Sequence, residues 1–126
     1  MERIRVIVAD DESMICMDLR EMLTNQGYLV VGDTGDGRSA VNLARELRPD
    51  VVLMDIKMPE LSGLDATALI RESDKTTPII AQSAFAFEDD RRNAMEKGCS
   101  DFLAKPFSKK QLTAIIQRNL NPPIAR

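Results

Sequence analysis

The sequence predicts an α/β domain in which an open parallel sheet carries helices on both faces. Three observations lead there. Short aliphatic runs recur five times along the 126 residues, each too short for an ordinary helix. Segments with apolar residues at offsets of three and four separate them. The central runs are apolar on both faces, and the connections between runs are long enough for crossover helices.

In order, the first strand falls within 4–9, and Ile15, Leu19, Met22 and Leu23 mark one stripe of the first helix. A second strand at 28–31 leads to a helix with Val41, Ala44 and Leu47 flanked by Ala40 and Leu43. The third strand, 51–54, precedes a helix with Ser62 as N-cap, Asp65 completing a capping box, and an end near Glu72. A fourth strand at 79–81 precedes a helix over 88–97, whose acidic start suits the positive end of the dipole and which Gly98 stops. The fifth strand lies within 99–104. The last helix has the clearest start: Ser108 and Gln111 form a capping box, Phe107 faces Leu112 as a staple, and Leu112, Ile115, Ile116 and Leu120 form its buried face. Residues 1–120 therefore read as one domain. Residues 121–126, with Pro122 and Pro123, read as a tail or the start of a linker.

Composition narrows the chemistry. There is no histidine, which removes the usual general base, Ser-His and Cys-His pairs, and the commonest zinc ligand. A net charge of −3 and a pI near 5.0 leave no basic footprint for direct nucleic-acid binding. No apolar run approaches membrane-spanning length, and the N-terminus lacks a signal-peptide pattern, so a cytoplasmic location is expected. Cys16 and Cys99 are too few for a disulfide framework. Cys16, Met14 and Met17 are expected to serve helix packing or its flank, Cys99 to be a small buried residue, and 88–92 to be an exposed helix start.

Polar residues sit immediately after several strands: Asp10 and Asp11 after the first, Asp55 after the third, Ser83 after the fourth and Lys105 after the fifth. In a parallel sheet all carboxyl ends share one edge, where ligands bind. Any one of these residues alone has a plain explanation as a turn, cap or solvated side chain. Together they gather three carboxylates, a hydroxyl and an ammonium. Two carboxylates ~5 Å apart repel by about 3 kcal/mol at an effective dielectric of 20, which a cation would relieve. Oxygen-only donors fit Mg²⁺ or Mn²⁺. An ionised Asp55 needs no general base to attack a phosphoryl donor, in keeping with a chain without histidine.

Asp10-Asp11-Glu12 after an apolar strand, Leu53-Met54-Asp55-Ile56-Lys57-Met58-Pro59 with Ser62-Gly63-Leu64, Ser83-Ala84, and Asp101-Phe102-Leu103-Ala104-Lys105-Pro106-Phe107 resemble the receiver domain of two-component response regulators. The likeness covers residues 4 to 120. It implies a flavodoxin-like (βα)5 doubly wound sandwich with strand order 2-1-3-4-5. It also implies Asp55 as phosphoacceptor, Asp10 and Asp11 as the acidic metal pair, the Lys57 backbone carbonyl as a further Mg²⁺ ligand, Ser83 as switch hydroxyl, Lys105 as phosphate contact and Phe102 as switch aromatic. Lys105-Pro106 is similar to the family's cis peptide. The implied partners are a histidine kinase or phosphotransfer protein and a downstream output protein or domain, with neither nucleic acid nor membrane bound directly. On this reading the chain is a regulatory phosphoacceptor that catalyses only its own modification. Phosphorylation would draw Ser83 to the phosphoryl oxygens and open space for Phe102, altering the face of the fourth helix, fifth strand and fifth helix.

Two features depart from the family's common pattern. Phe85 and Lys57, each two residues past a site residue, lie where the family varies its phosphoryl lifetime, and Phe85 is expected to obstruct the attacking water and slow self-hydrolysis; Phe102 has no hydroxyl, so its inward position is expected to rest on burial alone. Up to its midpoint the sequence is similar to stand-alone and antitermination-type regulators, and 79–107 is similar to receivers of hybrid sensor kinases. Two other readings share parts of the pattern. Haloacid dehalogenase-type phosphohydrolases place the nucleophile in an Asp-x-Asp motif after the first strand, whereas here Asp10 and Asp11 are adjacent. A flavodoxin-like FMN binder needs a hydroxyl-rich loop where Asp10-Asp11-Glu12 would repel the phosphate.

Overall fold

The computed structural model describes residues 3–84 and 88–120, apart from the Glu88 side chain. Phe85 and the 121–126 tail, both subjects of expectations above, lie outside the described residues. Five strands and five helices alternate: β1 (Arg5–Ala9), α1 (Ser13–Asn25), β2 (Leu29–Thr34), α2 (Gly37–Leu47), β3 (Val51–Asp55), α3 (Gly63–Arg71), β4 (Ile79–Ser83), α4 (Glu88–Lys97), β5 (Asp101–Ala104) and α5 (Lys109–Asn119). The strands are parallel in the order β2-β1-β3-β4-β5, as the resemblance implied.

Strand alternation divides the core into two layers. On one face Ile7, Val52, Met54, Ile79, Ala81 and Phe102 pack with Val41, Ala44, Ala66, Ile70 and Ala94 of α2, α3 and α4. On the other, Val6, Val8, Leu53, Ile80 and Leu103 meet Leu19 and Leu23 of α1 and Leu112, Ile115 and Ile116 of α5. β3 and β4 are buried at all five positions, which explains their unbroken apolar reading.

The helix ends follow local chemistry. Ser108 and Gln111 exchange both bonds of the capping box, and Phe107 and Leu112 share one apolar layer. At α3 only half of the expected box forms. Ser62 Oγ accepts from Asp65 N, but the Asp65 carboxylate is drawn outward to Lys97 Nζ at 3.6 Å. Gly98 closes α4 at φ +110°, with its N–H on Met95 O. Cys16 packs in the core, while Met14 and Met17 lie on the exposed flank of α1, within the expectation of packing or flank. Both thiols are buried, and burial pushes each above the usual cysteine range. Among the described residues no helix is long and apolar enough to cross a membrane.

Candidate functional site

The carboxyl edge of the sheet gathers the residues singled out from the sequence. On the face covered by α1 and α5, β1, β3, β4 and β5 each contribute at this edge. Asp10 and Asp55 continue the rows of Val8 and Leu53, Gln82 continues that of Ile80, and Lys105 that of Leu103. Oxygens of Asp10, Asp11 and Asp55 lie within 4.8 Å of one another. Asp10 is 1% and Asp55 6% exposed, while Asp11 opens to solvent. A cleft of about 260 Å³ over this rim is lined by Asp11, Glu12, Asp55, Lys57, Ser83, Ala84 and Lys105.

Local folding places each group. Asp10 is anchored by its N–H to Thr34 O at 2.9 Å, and its Oδ1 accepts from Glu12 N at 3.0 Å. The plain reading of Asp10 as a helix-start residue is thus half right, since one oxygen ties the turn into α1 and the other accepts from Lys105 Nζ. Asp55 ends β3 where the chain turns tightly, with Gly63 N on Ile56 O at 3.1 Å. A Cβ at Gly63 would stand 2.0 Å from the Asp55 carbonyl oxygen, so only glycine lets α3 start this close to the acid. Lys105 is carried over by β5, with its N–H on Ser83 O and a cis bond to Pro106.

The electrostatics are unbalanced. Lys105 Nζ donates to Asp10 Oδ2 at 2.9 Å and to Asp55 Oδ1 at 3.4 Å, so it bridges two of the three clustered carboxylates. Burial and the Asp10 charge push the Asp55 carboxyl up to about 6, against the pull of Lys105. Burial opposes the Lys105 charge, but its hydrogen bond to Asp10 and the nearby charges of Asp55 and Asp10 outweigh it, holding the ammonium above its usual range. The better-shared partner is Asp10, which leaves Asp55 under-compensated. An oxygen-only cluster with excess negative charge fits a hard divalent cation such as Mg²⁺.

Ser83 and Phe102 belong to the opposite layer, in line with Ala81 and Ile79. Ser83 is buried and still lines the cleft. Phe102 is already inward, 4% exposed, and it is not held by burial alone. The Arg91 guanidinium of α4 lies 5.3 Å from its ring centroid, a cation–π contact. Arg91 is itself exposed, in keeping with an exposed helix start, and still reaches the ring. Reading by strand ends passed over Gln82, which is 1% exposed in a central strand beside Asp55. Its only sequence signal was an amide between two strand residues.

Comparison with known proteins agrees with this geometry. Residues 6–117 match the model of the response regulator receiver domain. The transcriptional regulatory protein PdtaR of Mycobacterium tuberculosis is 44% identical over 113 residues, 90% of this chain and 55% of the relative, so the chain spans about half that relative's length. The chemotaxis protein CheY of Thermotoga maritima is 37% identical over 90% of this chain and 95% of its own. The solved receiver domain of the sensor histidine kinase PA1611 from Pseudomonas aeruginosa PAO1, with a magnesium ion coordinated in its active site cleft, superposes with a TM-score of 0.86 at 36% identity, covering 94% of this chain and 98% of that one. The chain belongs to the response regulator receiver domain family of two-component signalling.

Proposed function

We propose that this domain accepts a phosphoryl group on Asp55 and relays that event to a partner through α4, β5 and α5. The observation that carries the reading is the acid trio of Asp10, Asp11 and Asp55, bridged by Lys105 at the carboxyl edge. Asp10, Asp11, Asp55 and the Lys57 carbonyl would hold Mg²⁺ or Mn²⁺. When bound, the ion neutralises the carboxylates and the charge on the phosphoryl oxygens.

An Asp55 oxygen attacks phosphorus, a P–O bond to acetyl phosphate or a P–N bond to a phosphohistidine donor breaks, and the leaving group keeps the electron pair. Lys105 contacts the incoming oxygens as an always-charged donor. Ser83, whose backbone adjoins Lys105, closes on them from the other layer. Phe102 shares that layer and links the movement to α4 and β5. The donor is a histidine kinase or phosphotransfer protein, since this chain has no histidine to hold the group. The product is a changed binding surface.

Incubation with acetyl phosphate or beryllofluoride and Mg²⁺ tests the assignment. The parent is expected to gain one phosphoryl mass or one bound beryllofluoride, and Asp55→Asn neither. Modification surviving that substitution, or multiple turnover of small phosphate esters, would overturn it.

A further inference from the structure

Gln82 stands out among the buried polar groups. It is 1% exposed, and among the described residues neither its Oε1 nor its Nε2 has a hydrogen-bond partner. An unpaired buried carboxamide is costly, and native proteins pair the great majority of such groups. Its place in the sheet gives the cost a direction. Gln82 sits opposite Asp55 on one side and Leu103 on the other, on the face shared by Asp10, Asp55 and Lys105.

β4 lies between β5 and β3 in the sheet. A lysine just past the end of β5 that reaches Asp55 and Asp10 must therefore pass over the end of β4, where the residue of that side opposite Asp55 is Gln82, two residues before the level of Lys105 itself. The Lys105 ammonium has three N–H donors, and two of them are spent on carboxylates.

We infer that Gln82 is a positioning residue for Lys105, its carboxamide oxygen accepting an ammonium N–H when the lysine leaves Asp10 for the phosphoryl group on Asp55. A neutral acceptor suits that task. It steadies the ammonium without the competing charge of another carboxylate, and it leaves the lysine's remaining donors for phosphoryl oxygens. In the resting state the amide is idle, which concentrates its benefit in the phosphorylated state. The inference rests on Asp55 being the phosphoacceptor.

Gln82→Met, with Gln82→Leu as a second apolar replacement, separates this role from a structural one. Without Mg²⁺ or beryllofluoride, both variants are expected to unfold at higher urea than the parent, because the unpaired amide is gone. With Mg²⁺, their beryllofluoride affinity, followed by ¹⁹F NMR, is expected to fall roughly tenfold, the yield of one hydrogen bond to a charged group. A variant that is more stable yet binds worse has not simply misfolded. Mg²⁺ affinity by calorimetry should stay within about twofold of the parent. In a Lys105→Met background Gln82→Met should have no further effect on beryllofluoride affinity.

Unchanged beryllofluoride affinity, additive losses in the double variant, or a lower urea midpoint showing the amide already paired at rest would each overturn the inference. If the parent fails to bind beryllofluoride, the phosphoacceptor reading falls first and this one with it. If the parent binds and Asp55→Asn does not, the Gln82 result stands on its own.

Discussion

Burial and the Asp10 charge, partly offset by Lys105, make ionisation of Asp55 work against folding. Its folded pKa of about 6 lies above that of an unfolded aspartate, so its contribution to stability is fully present below about pH 4 and is lost as the pH rises through 6. Asp55→Asn removes that loss. In metal-free buffer the substitution is expected to raise unfolding free energy by about 1–3 kcal/mol at pH 8 and by almost nothing at pH 4, as read by urea titration. A gain equal at both pH values would mean that the carboxylate is not the strained group. The same residue makes the domain receptive, since whatever brings positive charge to the cleft relieves it. Gly63 shows the complementary constraint, where the absence of a single carbon lets the α3 start press against the Asp55 carbonyl.

Each helix is stitched to the sheet at its ends as much as along its stripe. α5 begins with the reciprocal Ser108–Gln111 bonds, and near its end Arg118 and Asn119 grip Asp101 at the start of β5. Ser108→Ala is expected to cost about 1 kcal/mol by urea titration while leaving beryllofluoride binding intact, because the cap is remote from the acid trio in function. The ends of α3 and α4 are joined by Arg71, which donates to Gly98 O and to Ser100 Oγ.

Such ends mark the boundary of what was legible in the sequence. The α5 cap was visible because both partners lie within four residues. The failed half of the α3 box was not, because Lys97 competes from another helix. β2 ran three residues past its apolar run because Gly32, Asp33 and Thr34 pair with β1 despite their composition. Arg48 and Glu60 adopt positive φ with no glycine or asparagine to announce it. Arg91 over Phe102, and Gln82 beside Asp55, depend on which elements the sheet order makes neighbours. Alternation and strand ends located Asp10, Asp55, Ser83 and Lys105, whereas the strand order itself came only from resemblance.

At the scale of the whole molecule, the two apolar layers form a rigid floor and the polar rim is the part left energetically unfinished. Mg²⁺ is expected to raise the unfolding free energy by about 2.7 kcal/mol at a hundredfold excess over its dissociation constant, and the melting midpoint with it. Thermal melts with and without chelator check this, and Asp10→Asn is expected to abolish the shift. An equal shift in that variant would place the ion elsewhere. Phe102 is already buried under Arg91, so on the proposed reading a phosphoryl signal would work through α4 and its surroundings and not by bringing the ring in from solvent.

The two cysteines have a practical consequence. Because both cysteines are buried and burial pushes their thiols up, maleimide dyes at neutral pH are expected to react more slowly with them than with an exposed thiol, Cys16 at the edge of a cleft being the faster of the two. A single cysteine introduced at exposed Lys75, in the loop between α3 and β4, would therefore take a fluorophore selectively, giving a reporter far from the carboxyl edge without first stripping the protein of its own sulfur.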